Sequence, residues 1–145
     1  MTDIFTSVSL KSLTAPAVAT ATVTSSAIEV TGYTGTNFYV FYGNSADTLS
    51  DTVYWTASLK ECATESGTYT AVAADDVSGP STNAFGLVNA PTEDQQIYGI
   101  GYTGSLDFVK VVVTATGTHT TGTPIGIFCA LGLPRSQTTD QDYNP

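Results

Sequence analysis

Charge is what this sequence has least of. Only 12% of its 145 residues are Asp, Glu, Lys or Arg, about half the usual share. Four of those are cations, and the formal net charge is −9. Binding a phosphate backbone requires clustered Lys and Arg, and four scattered cations make no such patch, which excludes nucleic acid as a direct partner. Histidine, tryptophan and methionine occur once each, and cysteine twice. A lone histidine without clustered Cys or carboxylates cannot build a zinc site. No apolar run approaches the ~20 residues of a membrane helix, so no membrane span is expected. Met1-Thr2-Asp3 carries no basic segment and residues 4–13 are too polar for the core of an export signal, so synthesis in a cytoplasm is expected.

Strand formers are present in quantity. Thr and Val recur throughout, with eight Tyr and six Phe, residues that suit a pleated, half-buried surface. The length fits one domain able to bury a core without disulfides or metal. The clearest pattern lies in residues 101–134. Val109, Val111, Val113 and Ala115 share one parity, as do Ile125, Ile127, Cys129, Leu131 and Leu133. That two-residue period places each set on one face of a strand. A Gly/Thr loop containing His119 joins the two strands.

The rest of the chain reads as short strands between turn signals. Residues 1–21 have mixed periodicity around Pro16 and read as an extended arm or a first edge strand; Phe5, Val8, Leu10 and Leu13 are its apolar residues and candidate contacts with a neighbour. Residues 27–30 form a strand. Residues 38–42, apolar on both parities, are expected to be central and buried on both faces. Val53, Trp55, Ala57 and Leu59 alternate with Tyr54, Thr56, Ser58 and Lys60, placing Trp55 and Leu59 in the core and Tyr54 outward as an interface candidate. Tyr98, Ile100 and Tyr102 alternate with Gly99 and Gly101, where large neighbours can approach. The expected core is thus Trp55, Leu59, Tyr98, Ile100, Tyr102, Val109, Val111, Val113, Ile125, Ile127, Cys129 and Leu131. About eight short strands and no 3.6-residue period predict an all-β chain, a single β-sandwich of jelly-roll type. The predicted organisation is an arm or edge strand at 1–21, a sandwich at 22–134 and a tail at 135–145.

Little here points to chemistry. His119 has no neighbouring Gly-x-Ser-x-Gly elbow and no evident orienting carboxylate, so no enzyme and no cofactor are expected. Asp75-Asp76 and Glu93-Asp94 are loop carboxylates that calcium could use, but they lack alternating spacing, so they read as solvated turns and no metal is expected. Cys62, placed in the turn after its strand, and Cys129 read either as a bridge or as two free thiols; a cytoplasmic origin favours the latter. Tyr and Trp in excess of core needs suit an interface or a sugar-binding surface.

One resemblance emerges from the strand-and-turn pattern. Residues 53–59 (VYWTASL), 67–72 (GTYTAV), 96–104 (QIYGIGYTG), 109–119 (VKVVVTATGTH), 122–126 (GTPIG) and 131–135 (LGLPR) resemble small structural proteins of tailed phages, encoded beside the major capsid protein. The likeness spans residues 27–135. Gly99 and the Ser105-Leu106-Asp107 turn depart from it, standing where basic residues are common. The resemblance implies a virion structural protein: a capsid decoration (cement) protein, synthesised in the host cytoplasm, that binds the outer face of an icosahedral head. It also implies the major capsid protein as partner and a homotrimer as the assembly. A carbohydrate- or receptor-binding head spike or tail-tip module is the alternative reading.

Overall fold

The structure is a computed structural model and describes residues 7–132. Phe5 and the tail at 135–145 lie outside the described residues. Among the described residues eleven strands form two antiparallel sheets packed face to face: β1 (Val8–Ala19), β2 (Val23–Thr24), β3 (Ile28–Glu29), β4 (Thr36–Tyr42), β5 (Tyr54–Cys62), β6 (Thr70–Ala71), β7 (Val77–Ser78), β8 (Ala84–Val88), β9 (Ile97–Tyr102), β10 (Phe108–Thr116) and β11 (Thr123–Gly132). The only helical piece among the described residues is one 3-10 turn, Ala74–Asp76. The fold is therefore an all-β sandwich. The count exceeds the expected eight because the segment read as an arm or edge strand forms β1 and because β2 and β7 are two-residue strands, too short to show a period.

The first sheet runs β1-β11-β4-β9-β7. The second runs β2-β10-β5-β6, with β3 also on β10 and β8 also on β5. β10 and β5 pair over nine positions, from Phe108 opposite Cys62 to Thr116 opposite Tyr54. Side chains fill the gaps between the short strands. Asn83 accepts the Leu59 N–H at 2.7 Å and donates to the Leu59 carbonyl at 2.8 Å, standing in for a strand between β6 and β8. Ser25 does the same for Val111, through its own backbone N–H (2.9 Å) and through its hydroxyl, which accepts the Val111 N–H at 3.0 Å. Buried backbone groups are thus paired where the ladder breaks.

The core lies between the sheets. Trp55, Leu59, Ile100, Tyr102, Val109, Val111, Val113, Ile125, Ile127, Cys129 and Leu131 are all buried there, joined by Phe38, Val40 and Tyr42. Tyr98 departs from the expected set: it is half-buried at the rim, with its hydroxyl donated to the Glu93 carbonyl at 2.7 Å. Leu13 departs in the other direction. Ser12 stands opposite outward-facing Phe128, so the next residue, Leu13, points inward and is a core residue and not an interface residue. β4 is central, as expected, but only one of its faces is buried: Phe38, Val40 and Tyr42 point inward while Tyr39 is half-buried and Phe41 exposed. Cys62 is a buried strand residue rather than a turn residue, and both cysteines are free thiols.

Candidate interaction surface

The outward face of the first sheet is the most distinctive surface. Register fixes which side chains it carries. Phe38, Val40 and Tyr42 oppose Cys129, Ile127 and Ile125 on the inner face, so Tyr39 and Phe41 share the outer face with Phe128 and Gly126. On β9 the same rows continue as Gly99 and Ile97. On β1 they continue through Ser12, opposite Phe128, to Leu10, opposite Ala130, and Val18, opposite Pro124. Leu10, Val18, Phe41 and Ile97 are 69%, 64%, 38% and 58% exposed, which makes an apolar surface rather than isolated exposed side chains.

Glycines flatten this face. Tyr39 stacks on Phe128 with ring centroids 5.0 Å apart and an interplanar angle of 17°. Its ring lies over Gly99, where a Cβ would come within 2.8 Å of it. Pro16 lies in the same way over Gly126, whose added Cβ would sit 3.0 Å from the proline ring. Any larger residue at 99 would lift the tyrosine off the sheet. A shallow groove of about 250 Å³ runs between Pro16, Phe41, Ile97 and Phe128. No outward position of β1, β4, β9 or β11 carries Asp, Glu, Lys or Arg within the paired rows.

The outer face of the second sheet differs. Lys110 and Lys60 stand directly opposite one another, and the Lys110 ammonium lies 4.1 Å above the Tyr69 ring, a cation–π contact that offsets part of the repulsion between the pair. Tyr54 lies at the end of this face and is half-buried. The residues singled out as interface candidates are therefore scattered. Leu10 lies on the apolar face, Val8 begins β1 half-buried, Leu13 is in the core, and Tyr54 is on the opposite sheet. Sequence reading missed Tyr39, Phe41, Ile97 and Phe128, whose common face exists only once β11, β4 and β9 are paired. The alternation within residues 38–42 was hidden because both parities are apolar.

The titratable groups are placed in structural roles. Asp75 and Asp76 form the 3-10 turn. The Glu93 carboxylate accepts the backbone N–H groups of Asn89 (2.8 Å) and Ala90 (3.1 Å), and buried Asp94 accepts that of Ser45 at 2.9 Å. No cluster of three or more His, Cys, Asp or Glu suited to a metal exists among the described residues.

His119 is buried in a polar knot at one end of the sandwich, a position that its Gly/Thr loop did not suggest. Its ring lies 4.2 Å from that of Trp55. Nδ1 is 3.3 Å from an Asp47 carboxylate oxygen, within ion-pair reach but out of hydrogen-bond alignment, and Nε2 faces the Thr116 carbonyl at 3.1 Å. Asp47 also accepts the N–H groups of Thr120 (3.0 Å), Thr121 (2.8 Å) and Gly122 (2.8 Å). These hydrogen bonds, that of Thr121 foremost, hold its carboxyl below the usual carboxylate range. Trp55 Nε1 donates to Thr123, whose hydroxyl donates to Ser45 at 2.8 Å. Asp47 and His119, with both ring nitrogens turned to oxygens, fasten the loop at residues 120–122.

No protein-family model matches the chain, and no curated protein is found to be similar to it.

Proposed function

We propose that the protein is a capsid decoration (cement) protein that binds the outer face of an icosahedral phage head, with the major capsid protein as partner and a homotrimer as its assembled form. The observation that carries this reading is the broad, flat apolar face on the first sheet, a surface built for contact and set on a sandwich whose polar clusters serve the fold. Strand order adds support. The long strands run 1-11-4-9 in one sheet against 10-5 in the other, with two-residue β2 beside β10 and β8 beside β5. With β3, β6 and β7 as short satellites, that order supports the jelly-roll reading of the sandwich, a fold that recurs in virion shells and lectins. Fold alone does not assign function; the weight rests on the contact face and on the likeness of residues 27–135 to small phage structural proteins.

The mechanism is multivalent mass action. Many copies that bind the assembled shell, and not its free subunits, stabilise that shell by linkage. Co-sedimentation with expanded heads lacking the protein tests this. Saturable binding and a raised disruption temperature of the particles are expected. Absence of binding, together with a saccharide preference on a glycan array, would assign the stacked Tyr39–Phe128 rings to sugar recognition and make the protein a head-spike or tail-tip module instead.

A further inference from the structure

From the chemistry of this face we infer that the outer face of the first sheet is where the protein binds a second copy of itself. The inference goes beyond the proposed function: a face meeting its like is an isologous, two-fold contact, so it pairs two copies and does not itself close a cyclic trimer, and it is tested without capsids.

Charge selects the occupant. The molecule carries a net charge of −9, so two copies repel at most approaches. The outer rows of β1, β11, β4 and β9 hold no charged side chain. Two copies can meet there without burying an unpaired charge. The face is also self-complementary: flat, apolar and interrupted by glycines at which rings lie down rather than stand up. A basic partner would find no anion on it, and a sheet facing a like sheet is an established way to bury such a surface.

The chain's own tail is a poor cover. Residues 133–145 bring Leu133 and Tyr143 as large apolar side chains, beside Arg135, Asp140 and Asp142. The area sets the strength. Four long strands about 4.8 Å apart, each with about seven residues rising about 3.3 Å, give a face of roughly 450 Å². Stable interfaces need about 800 Å² per partner. Contact through this face alone is therefore concentration-dependent, and a tight assembly must also engage the free edge of β1, 12 residues long and mostly exposed.

Sedimentation velocity of the purified full chain over about 5–500 µM, at low and high salt, tests the inference. Association is expected to strengthen as salt rises, because the Debye length falls from about 30 Å at 0.01 M to about 3 Å at 1 M and screens the like charges. Ile97→Asp and Phe41→Asp should return the protein to its 15.1 kDa monomer throughout the range. Ile97 is the cleaner site, since its side chain is 58% exposed and its melting temperature should not move. Tyr54→Asp, on the other sheet, should associate as wild type does. Three results would each overturn the inference: a monomer at every concentration and salt, association that weakens with salt, or association unchanged in both face variants. Loss of capsid co-sedimentation in Ile97→Asp from a protein that is monomeric throughout would assign the face to the capsid and likewise overturn it. Failure of all capsid binding by a protein that self-associates through this face would sink the decoration reading and leave the inference standing.

Discussion

The Tyr102 hydroxyl donates to the buried Glu61 carboxylate at 2.5 Å and ties the two sheets together through their side chains. Glu61 lies on β5 and Tyr102 ends β9, so the bond crosses the core. The same hydroxyl accepts the Leu106 N–H at 3.1 Å, which anchors the turn leading into β10. Burial, and then the carboxylate beside it, hold the Tyr102 hydroxyl well above the ordinary tyrosine value. Tyr102→Phe removes the donor and leaves a buried carboxylate underpaired, a loss of about 1.5–3 kcal/mol, measurable by urea denaturation. The pH sign follows. A folded-state value raised above the unfolded one gives stability that is complete below about pH 10 and is lost as pH rises beyond it. The alkaline fall in melting temperature should be shallower in Tyr102→Phe.

Tyr42 makes the opposite case. Its hydroxyl is buried and has no hydrogen-bond partner, while its ring meets Tyr98 edge-on at 5.8 Å. Tyr42→Phe keeps the ring and deletes an unsatisfied polar group, so stability should hold or rise by up to about 1 kcal/mol. A loss above 1 kcal/mol would show that the hydroxyl has a partner in solution.

How much of this was legible from the sequence depended on whether a strand alternates. β5, β10 and β11 alternate or are apolar throughout, and their inward residues, from Trp55 to Leu131, were readable from spacing. Tyr39 and Phe41 were not, because apolar residues on both parities of β4 look the same as burial on both sides. Leu13 was misplaced because the mixed periodicity around Pro16 does not show which parity of β1 faces inward, and only pairing with β11 sets it. The knot around His119 joins residues up to 78 positions apart in sequence, such as Ser45 and Thr123, and no local pattern announces it. The two-residue strands β2 and β7 are held by partners, not by propensity, and left no trace in the sequence, whereas β3 lies within the strand read at 27–30.

Asp47 should govern the acid limb of stability. Its depressed carboxyl implies a contribution that is complete above about pH 4, the unfolded value, and lost as pH falls through the lower folded value. Asp47→Ala should cost about 1–2 kcal/mol at neutral pH, since the exposed Thr120 and Thr121 can turn their N–H groups to water. The variant should also lose less stability than wild type between pH 5 and pH 2, a difference that paired melting curves across that range would register.

Metal and reductant should both be immaterial to the fold. Glu93 and Asp94 are engaged with backbone N–H groups, and both thiols are free. Chelator and reductant should each leave the melting temperature within a few degrees, since ~1 kcal/mol shifts a domain of this size by about 4 °C. Burial pushes the Cys129 thiol up to about 11, so at neutral pH it is protonated and closed off. Alkylation monitored by mass should leave Cys129 unmodified in the native protein and label it on unfolding. A fall of more than about 10 °C with chelator would return the loop carboxylates to consideration as calcium ligands.

Trp55 carries the most structure on one side chain. It is fully buried, lies at the start of β5, packs against the His119 ring at a 35° tilt and holds Thr123 at the start of β11 through a 3.0 Å hydrogen bond. Trp55→Ala should cost about 3–5 kcal/mol by the combined transfer and cavity terms. The damage should spread, because His119 then loses the ring that covers it while Asp47 still holds the 120–122 loop. Trp55→Phe separates the two parts. It restores most of the apolar volume but not the indole N–H, and should cost about 1–2 kcal/mol, mostly because the buried Thr123 hydroxyl loses its donor while it still donates to Ser45. Equal losses in the two variants would mean that the hydrogen bond to Thr123, and not the packing of the ring between the sheets, secures this end of the sandwich.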